Sequence, residues 1–356
     1  MKMVVVGDAY ITLDMMKSAV DNCKLSDIKA EYFYFGLQSR GEMREIVREI
    51  EKGNRDEMIL PPGYEEAIED ADAVMMHLCP LTTRLIEKAK NLKYILCNRG
   101  GLENIDVETA TKKGIMILHN PAHNANAVAE YTVGLILCET RNIGRAYMAL
   151  KNGEWREKFP NTATTIHEMH DLTIGIIGFG SVGKLVAERL EGFRSKILVY
   201  DPFFDISAYD MLNVEFVELD ELLERSDVVS MHARGSKVIF GADEFKKMKK
   251  TAYFINTARS ALIDYDALEK ALDESEIMGA AIDVFNSEPD IKESLRYHDN
   301  LTITNHRGGD TINSYSDSPV MMLNNLNNYF KGRKPLFWYN RKEMLNKFYN
   351  KEFYNV

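Results

Sequence analysis

The chain has 356 residues, which is enough for two domains, since single hydrophobic cores stop growing at roughly 250 to 300 residues. Hydrophobic residues make up 45% and charged residues 28%, as in an ordinary globular protein rather than a disordered or fibrous one. The formal net charge is −10, and the acidic excess is spread along the chain. Such a surface repels phosphate backbones, so nucleic acid is not expected as a partner.

Cysteine usage and hydropathy indicate the compartment. The chain has no C-x-x-C spacing of the kind that metal and redox sites use, and its four cysteines are scattered: Cys23, Cys79, Cys97 and Cys138. We therefore expect free thiols and no metal. The N-terminal apolar run is too short for a signal-peptide core, and no stretch approaches the ~18 apolar residues of a membrane span. A cytoplasmic protein without a membrane partner is predicted.

Short apolar runs alternate with amphipathic segments from the first residue onward. The pattern predicts buried strands at 3–7, 30–36, 73–78, 94–98 and 115–120, with a helix at 39–53. A second series predicts strands at 172–180, 196–201, 228–232, 252–256, 279–285 and 301–305. This is the β-α-β pattern of parallel sheets, so the fold class is α/β with two such units.

Helical and irregular segments separate and follow the two series. A long apolar helix is predicted from about Ala125, then a more polar arm and a loop at 159–171. A last helix is predicted at 312–332, before a polar, aromatic tail without strands. If that helix folds back onto the first unit, the first domain is discontinuous and His306 lies at a hinge.

A glycine motif opens the second series. Gly178, Gly180 and Gly183 have the G-x-G-x-x-G spacing between an apolar strand and a helix pattern. The first permits a tight turn, the second lets a diphosphate approach the backbone, and the third allows helix and strand to pack closely. Alone, the spacing is also compatible with an ordinary β-α turn. Asp201 ends the next strand about 20 residues on, where an acid binds the adenosine ribose and disfavours a 2′-phosphate, so NAD is the predicted cofactor.

Residues suited to chemistry on a carboxylic acid follow three further predicted strands, at 252–256, 279–285 and 301–305. Arg259 follows the strand at 252–256, where ligands of open α/β sheets bind, and a guanidinium can hold a carboxylate with two hydrogen bonds. His306 follows the strand at 301–305, and Glu288 is a candidate neighbour that would orient a proton-donating imidazole. Each residue taken alone also fits a structural role.

The motifs together resemble a known family. From about residue 70 to 335 the chain is similar to the D-isomer-specific 2-hydroxyacid dehydrogenases. The resemblance rests on these segments, in the family's order: "GGLENIDVETATKKGIMILHNP", "AVAEYTVGLIL", "LKNGEW", "IGIIGFGSVG", "NTARSALIDYDAL", "AAIDVFNSEP" and "TNHRGG".

The resemblance implies a Rossmann NAD-binding domain at 122–303, inserted in a flavodoxin-like substrate domain made of 1–121 and 304–356. It implies His306 as the general acid/base, Glu288 as its partner and Arg259 as the residue that binds the substrate carboxylate. It also implies substrate binding by Arg99, Gly100 and Gly101, and a homodimer formed around 140–170. The implied NAD-binding residues are Gly178, Gly180, Ser181, Val182, Gly183, Asp201, His232, Ala233, Thr257, Ala258, Asp283, Gly308 and Thr132.

The chain departs from the family pattern at three places. Ser260 replaces the glycine that usually follows the catalytic arginine, and the segment after His232 differs from the usual "H-x-P-L-T". Arg99 stands where the family usually has a small or apolar residue. We expect Arg99 either to bind a distal hydroxyl, phosphate or second carboxylate, or to stabilise its loop by an ion pair.

Two other functions remain open on the sequence. One is an NAD dehydrogenase for another small anion such as formate or phosphite, although the formate enzymes typically pair the histidine with glutamine rather than glutamate. The other is an NADH-sensing, corepressor-like binding protein on the same fold. The hydroxy acid itself cannot be named from the sequence. The polar "NRGG" loop favours a hydroxylated or sugar-derived keto acid.

Overall fold

The computed structural model describes residues 1–159, 166–205 and 213–347. The chain forms two compact units. Unit 1 comprises Met1–Asn124 and Thr311–Val356, and unit 2 comprises Ala125–Asp310. His306 thus lies in unit 2, close to its last residue. In the three described ranges, no helix has the length and apolar character needed to cross a membrane.

Unit 1 is built on a parallel sheet of five strands. The strands are β1 (Lys2–Gly7), β2 (Lys29–Tyr34), β3 (Ala73–Met76), β4 (Tyr94–Cys97) and β5 (Met116–His119), in the order β2-β1-β3-β4-β5. In β1, Val4 and Val6 pack into one core, whereas Met3 and Val5 pack into the core on the opposite face. Because helices cover both faces, the central strands are continuous apolar runs rather than alternating ones.

Several helices of unit 1 begin after a residue whose side chain caps them. They are α1 (Leu13–Asp21), α2 (Arg40–Glu51), α3 (Tyr64–Glu69), α4 (Thr83–Lys88) and α5 (Val107–Lys112), with α13 (Ile312–Phe330) and α14 (Arg341–Lys347) from the C-terminal segment. The hydroxyl groups of Thr12 and Ser39 accept hydrogen bonds from the first turns of α1 and α2, which supplies acceptors for otherwise unpaired amides. Met322, Leu323 and Leu326 of α13 are buried in the unit 1 core.

Unit 2 contains a parallel sheet of seven strands in the order β12-β11-β10-β9-β6-β7-β8. The strands are β6 (Thr173–Ile177), β7 (Lys196–Tyr200), β8 (Val214–Phe216), β9 (Val228–Met231), β10 (Tyr253–Asn256), β11 (Gly279–Ile282) and β12 (Leu301–Ile303). The helices are α6 (Ala125–Thr140), α7 (Ile143–Lys151), α8 (Ser181–Glu191), α9 (Leu219–Arg225), α10 (Ala242–Lys247), α11 (Tyr265–Asp273) and α12 (Glu293–Arg296).

The α/β fold class and the predicted strands are confirmed, with two corrections. The segment at 30–36 was predicted to be a buried strand, but β2 lies at the edge of its sheet and only part of its side chains is covered. Strand β8 was not predicted, because three residues are too few to show a pattern. The predicted loop at 159–171 lies partly outside the described residues. The four cysteines are free thiols, as expected.

Candidate active site

The sheet of unit 2 reverses its strand order between β6 and β9, and the glycine motif lies at this point. Gly178 follows β6 with φ +94°, a conformation that favours glycine. A Cβ atom there would lie 2.5 Å from the backbone nitrogen of Ala233, which follows β9. A Cβ on Gly183 would overlap the carbonyl oxygen of Gly178. Both glycines are therefore required by close packing of the turn, the helix and the neighbouring strand.

Gly180 has the opposite surroundings, since a Cβ there would meet no atom within 4 Å. It precedes Ser181 and Val182 at the start of α8, where helix amides lack partners within the helix. This open turn at a helix N-terminus fits a diphosphate. Asp201 lies beside it, because its Oδ2 accepts a hydrogen bond of 2.7 Å from the amide of Phe179. The residues present thus fit a dinucleotide.

His306 and Glu288 form a hydrogen-bonded pair after neighbouring strands β12 and β11. The distance from His306 Nδ1 to Glu288 Oε2 is 3.1 Å, and Glu288 Oε1 accepts a 2.9 Å hydrogen bond from the amide of Phe285. Both side chains are exposed, at 60% for His306 and 37% for Glu288. Since Nδ1 faces the carboxylate, Nε2 is the ring nitrogen left to exchange a proton with a ligand.

Asp283 fixes the loop that carries His306. The carboxylate of Asp283, which is 2% exposed, accepts hydrogen bonds from Thr304 Oγ1 at 2.7 Å and from the amides of Arg307 and Gly308 at 2.8 Å each. Between these attachments His306 has φ +57°, a left-handed conformation that non-glycine residues rarely adopt. The histidine is therefore held in a strained backbone conformation by bonds on both sides of it.

Arg259 follows β10, the neighbour of β11, so it lies at the same edge of the sheet as Glu288 and His306. Its backbone is fixed by Asn256, whose side chain donates to the carbonyl of Arg259 at 3.2 Å and accepts from the amide of Ala258 at 2.9 Å. The guanidinium is exposed and donates to the carbonyl of Ala258 at 2.7 Å. Among the described residues it has no carboxylate partner, so its charge is available to an anion.

Other predicted cofactor residues are more deeply buried. Thr132 is fully buried and its hydroxyl lies 2.7 Å from that of Thr257, so it holds Thr257 in place at the end of β10. The His232 ring is buried with Nε2 2.9 Å from Ser230 Oγ, and burial lowers the pKa of His232 to about 3. The ring is therefore neutral. Ala233 and Gly308 also lie at the carboxyl edge of the sheet.

In unit 1, the predicted substrate loop is a turn after β4. The carbonyl of Arg99 accepts a 2.9 Å bond from the amide of Asn120, and the carbonyl of Gly100 lies 2.9 Å from His119 Nδ1. A Cβ on Gly100 would lie 3.1 Å from Pro121 Cα. The Arg99 guanidinium lies 3.1 Å from Glu51 and 3.6 Å from Glu103, so the ion-pair interpretation of this residue has direct support.

One pair of polar residues in unit 1 was not predicted from the sequence. Asp8 follows β1, His77 follows β3, and the distance from Asp8 Oδ2 to His77 Nδ1 is 2.9 Å. The signal was present, since a polar residue follows each of two buried apolar runs, but it does not show which strands are neighbours. No group of three or more His, Cys, Asp or Glu residues that could hold a metal ion is found in the described part of the chain.

Comparison with known proteins gives the family. Residues 133–308 match the family model described as the NAD binding domain of D-isomer specific 2-hydroxyacid dehydrogenases. The chain is 40% identical to a glyoxylate reductase of Thermofilum pendens over 77% of this chain and 84% of the relative. It is 38% identical to a hydroxypyruvate reductase of Thermotoga maritima over 65% and 75% of the two chains.

A solved structure has the same fold. The NAD-complexed D-isomer specific 2-hydroxyacid dehydrogenase of Lactobacillus delbrueckii superposes with a TM-score of 0.74 over 95% of this chain and 99% of that chain, at 22% identity. The chain belongs to the D-isomer specific 2-hydroxyacid dehydrogenase family. It is accordingly an NAD-dependent oxidoreductase of the class that interconverts small 2-hydroxy and 2-keto acids.

Proposed function

We propose that this protein reduces a small 2-keto acid with NADH, and oxidises the D-2-hydroxy acid in reverse, with His306 as general acid/base. The observation that carries the proposal is the 3.1 Å contact between His306 Nδ1 and Glu288. It leaves Nε2 exposed at the edge of the sheet that also carries Arg259 and the glycine turn. Glyoxylate and hydroxypyruvate, on which the named relatives act, are the first substrates to test.

The side chains at this site have separate roles in proton transfer and in substrate binding. NADH, when bound, supplies the hydride that reaches C2 of the keto acid. His306 delivers the proton to the C2 oxygen from Nε2, while Glu288 accepts the Nδ1 hydrogen bond and stabilises the imidazolium form that precedes transfer. Arg259 binds the substrate carboxylate and polarises the C2 carbonyl. In the oxidation direction His306 accepts the proton.

We assign the cofactor site to unit 2, which spans Ala125–Asp310 and so contains the predicted domain at 122–303 except for its first three residues. The glycine turn and the start of α8 bind the diphosphate, and Asp201 binds the adenosine ribose and repels a 2′-phosphate. Thr257, Ala258, Asp283 and Gly308 line the nicotinamide end. Unit 1 is the substrate domain, whose turn at Arg99, Gly100 and Gly101 offers amides to the substrate carboxylate.

Two properties of the whole protein are part of the proposal. Helix α7 and the segment after it expose several large apolar side chains, which fits the homodimer expected around 140–170: Ile143, Tyr147, Met148, Leu150 and Trp155. Sedimentation velocity measures this directly. Four free cysteines fit a reducing compartment, so we place the protein in the cytoplasm. The NADH-sensing alternative is not favoured, because the histidine-carboxylate pair needed for turnover is assembled.

The test measures NADH oxidation at 340 nm with glyoxylate, pyruvate, hydroxypyruvate and phosphohydroxypyruvate, with NADPH in parallel. We expect turnover with NADH, and a loss of kcat of about 10²- to 10⁴-fold in His306→Ala with NADH affinity within about twofold of normal. His298→Ala is the matched control, since His298 pairs with Asp273 at the other edge of the unit 2 sheet. Full activity of His306→Ala, or no turnover of any keto acid by the unaltered enzyme, contradicts the proposal.

A further inference from the structure

The sheet of unit 1 has a point of strand-order reversal of its own. Strand β2 lies on one side of β1, whereas β3, β4 and β5 follow on the other side. In open α/β sheets, ligands bind beyond the carboxyl ends of the strands at such a point. The residues in that position here are Asp8, directly after β1, and His77, directly after β3. The Arg99–Gly101 turn follows the next strand, β4.

Asp8 is a buried anchor for the imidazole. It is 1% exposed, its Oδ1 accepts hydrogen bonds from the amides of Tyr10 at 2.8 Å and Ile11 at 3.0 Å, and its Oδ2 faces His77. Burial by itself raises the pKa of Asp8, but the charge and hydrogen bond of His77 and the two amides outweigh it, so the pKa is lowered. Asp8 is therefore a carboxylate, and the facing Nδ1 of His77 carries the hydrogen.

This arrangement leaves one nitrogen of a nearly buried ring for a ligand. The His77 side chain is 9% exposed. Among the described residues Nε2 has no hydrogen-bond partner. The Tyr10 ring lies edge-on to the imidazole at 5.9 Å, and Tyr315 lies 5.8 Å beyond Tyr10. One aromatic ring therefore packs beside the imidazole, and a second packs against the first.

The charges around this nitrogen favour a neutral polar group as its ligand. Glu51 and Glu103 neutralise Arg99, and Asp8 neutralises a protonated His77. A hydroxyl group both donates and accepts, so it can bond to Nε2 whichever protonation state the ring has, whereas an anion needs the protonated ring. Arg40 adds positive charge against Tyr10 and Tyr315, and Arg44 adds positive charge near Tyr10, so the test includes a substrate with a second anionic group.

We propose that the Asp8–His77 pair is a specificity determinant that hydrogen bonds, through His77 Nε2, to a hydroxyl group carried beyond C2 of the substrate. The substrate class is then the hydroxylated 2-keto acids. This inference rests on the proposed function and on binding of the substrate carboxylate at the neighbouring Gly100–Gly101 turn. Asp8 is a positioning residue that sets the tautomer of His77.

The experiment compares kcat/KM within two matched substrate pairs that differ by one hydroxyl: pyruvate and hydroxypyruvate, and 2-oxobutyrate and 4-hydroxy-2-oxobutyrate. Phosphohydroxypyruvate and glyoxylate complete the panel. The key variant is His77→Asn, whose amide can still donate to Asp8 but lacks an atom at the place of Nε2. His77→Gln, which restores a polar atom near Nε2, tests rescue. His298→Asn is the control for the same exchange at a histidine-aspartate pair in unit 2.

We expect the unaltered enzyme to prefer the hydroxylated member of at least one pair. His77→Asn should lose about tenfold or more on that substrate, stay within about threefold on its deoxy partner, and recover partly in His77→Gln. Equal losses on both members, no loss, or a preference for glyoxylate or phosphohydroxypyruvate overturns the inference and leaves the proposed function standing. Absence of all turnover by the unaltered enzyme, or full activity of His306→Ala, is instead a failure of the proposed function.

Discussion

In each unit the residues proposed to bind a ligand lie where the strand order of the sheet reverses, but their chemistry differs. In unit 2 the reversal point carries Gly178 and Gly180, so the diphosphate proposed to bind there would meet backbone atoms and open space. In unit 1 it carries the side chains of Asp8 and His77. A site made of backbone atoms suits a chemical group that all ligands of a class share, such as a diphosphate. A site made of side chains suits a chemical group that differs from one substrate to the next.

The largest effect after loss of His306 is expected at Arg259. In Arg259→Lys an ammonium replaces the planar guanidinium, so the carboxylate loses its second hydrogen bond, and kcat/KM should fall roughly 100-fold. Steady-state kinetics should show the loss mainly in KM. Arg307→Lys is the control, since Arg307 pairs with Asp310 in the same loop region. Equal losses of kcat/KM in both variants would contradict a specific role for the two-hydrogen-bond geometry of Arg259 in substrate binding.

Two glycine variants test whether the proposed diphosphate site in unit 2 is formed by backbone atoms around an open space. Gly178→Ala should destabilise the fold by about 1 to 3 kcal/mol, because its φ is positive and the new Cβ meets the backbone at Ala233. Gly180→Ala should fold normally and weaken NADH binding, because its Cβ enters open space. Thermal unfolding and NADH fluorescence titration measure these effects. Normal NADH affinity in folded Gly180→Ala would place the diphosphate elsewhere.

Glu288→Gln tests the partner of His306. The amide oxygen can still accept the Nδ1 hydrogen bond, with the loss of the second one from the amide of Phe285. The negative charge that stabilises the imidazolium is also lost, so kcat should fall about tenfold. NADH affinity should not change. Glu293→Gln, an exchange at the start of α12, is the control. An unchanged kcat would show that the carboxylate only positions the ring.

The smallest effect concerns the stability that Asp8 contributes to unit 1. Its pKa is lowered in the folded protein from an ordinary value of 3.8, so the carboxylate stabilises the fold above that pH and loses this contribution as the pH falls below it. Asp8→Asn should therefore lower the free energy of unfolding by about 1 kcal/mol near neutral pH. The difference in the free energy of unfolding between Asp8→Asn and the unaltered protein should become smaller below pH 3.8. Denaturant titrations measure it, with the exposed Asp56→Asn as control.

Much of the fold followed from sequence because the central strands are buried on both faces and read as unbroken apolar runs. Strand β2 was misjudged because its aromatic residues suggest burial, although its edge position leaves them partly exposed. The glycine turn was predictable because its geometry depends on six consecutive residues. The Asp8–His77 pair was not, because its members are brought together only by the pairing of β1 with β3. The strained backbone of His306 likewise depends on Asp283.

The position of these residues along the chain has a practical consequence. Arg259, Asp283, Glu288 and His306 all lie between Ala125 and Asp310, one uninterrupted stretch of polypeptide that forms unit 2 by itself. Asp8, His77 and Arg99 lie outside it. If unit 1 selects the substrate as proposed, a chimera that keeps this stretch and takes the flanking segments from a related enzyme should retain the reaction and change the preferred acid. Exchange of segments, rather than of single residues, is the natural way to re-engineer this enzyme.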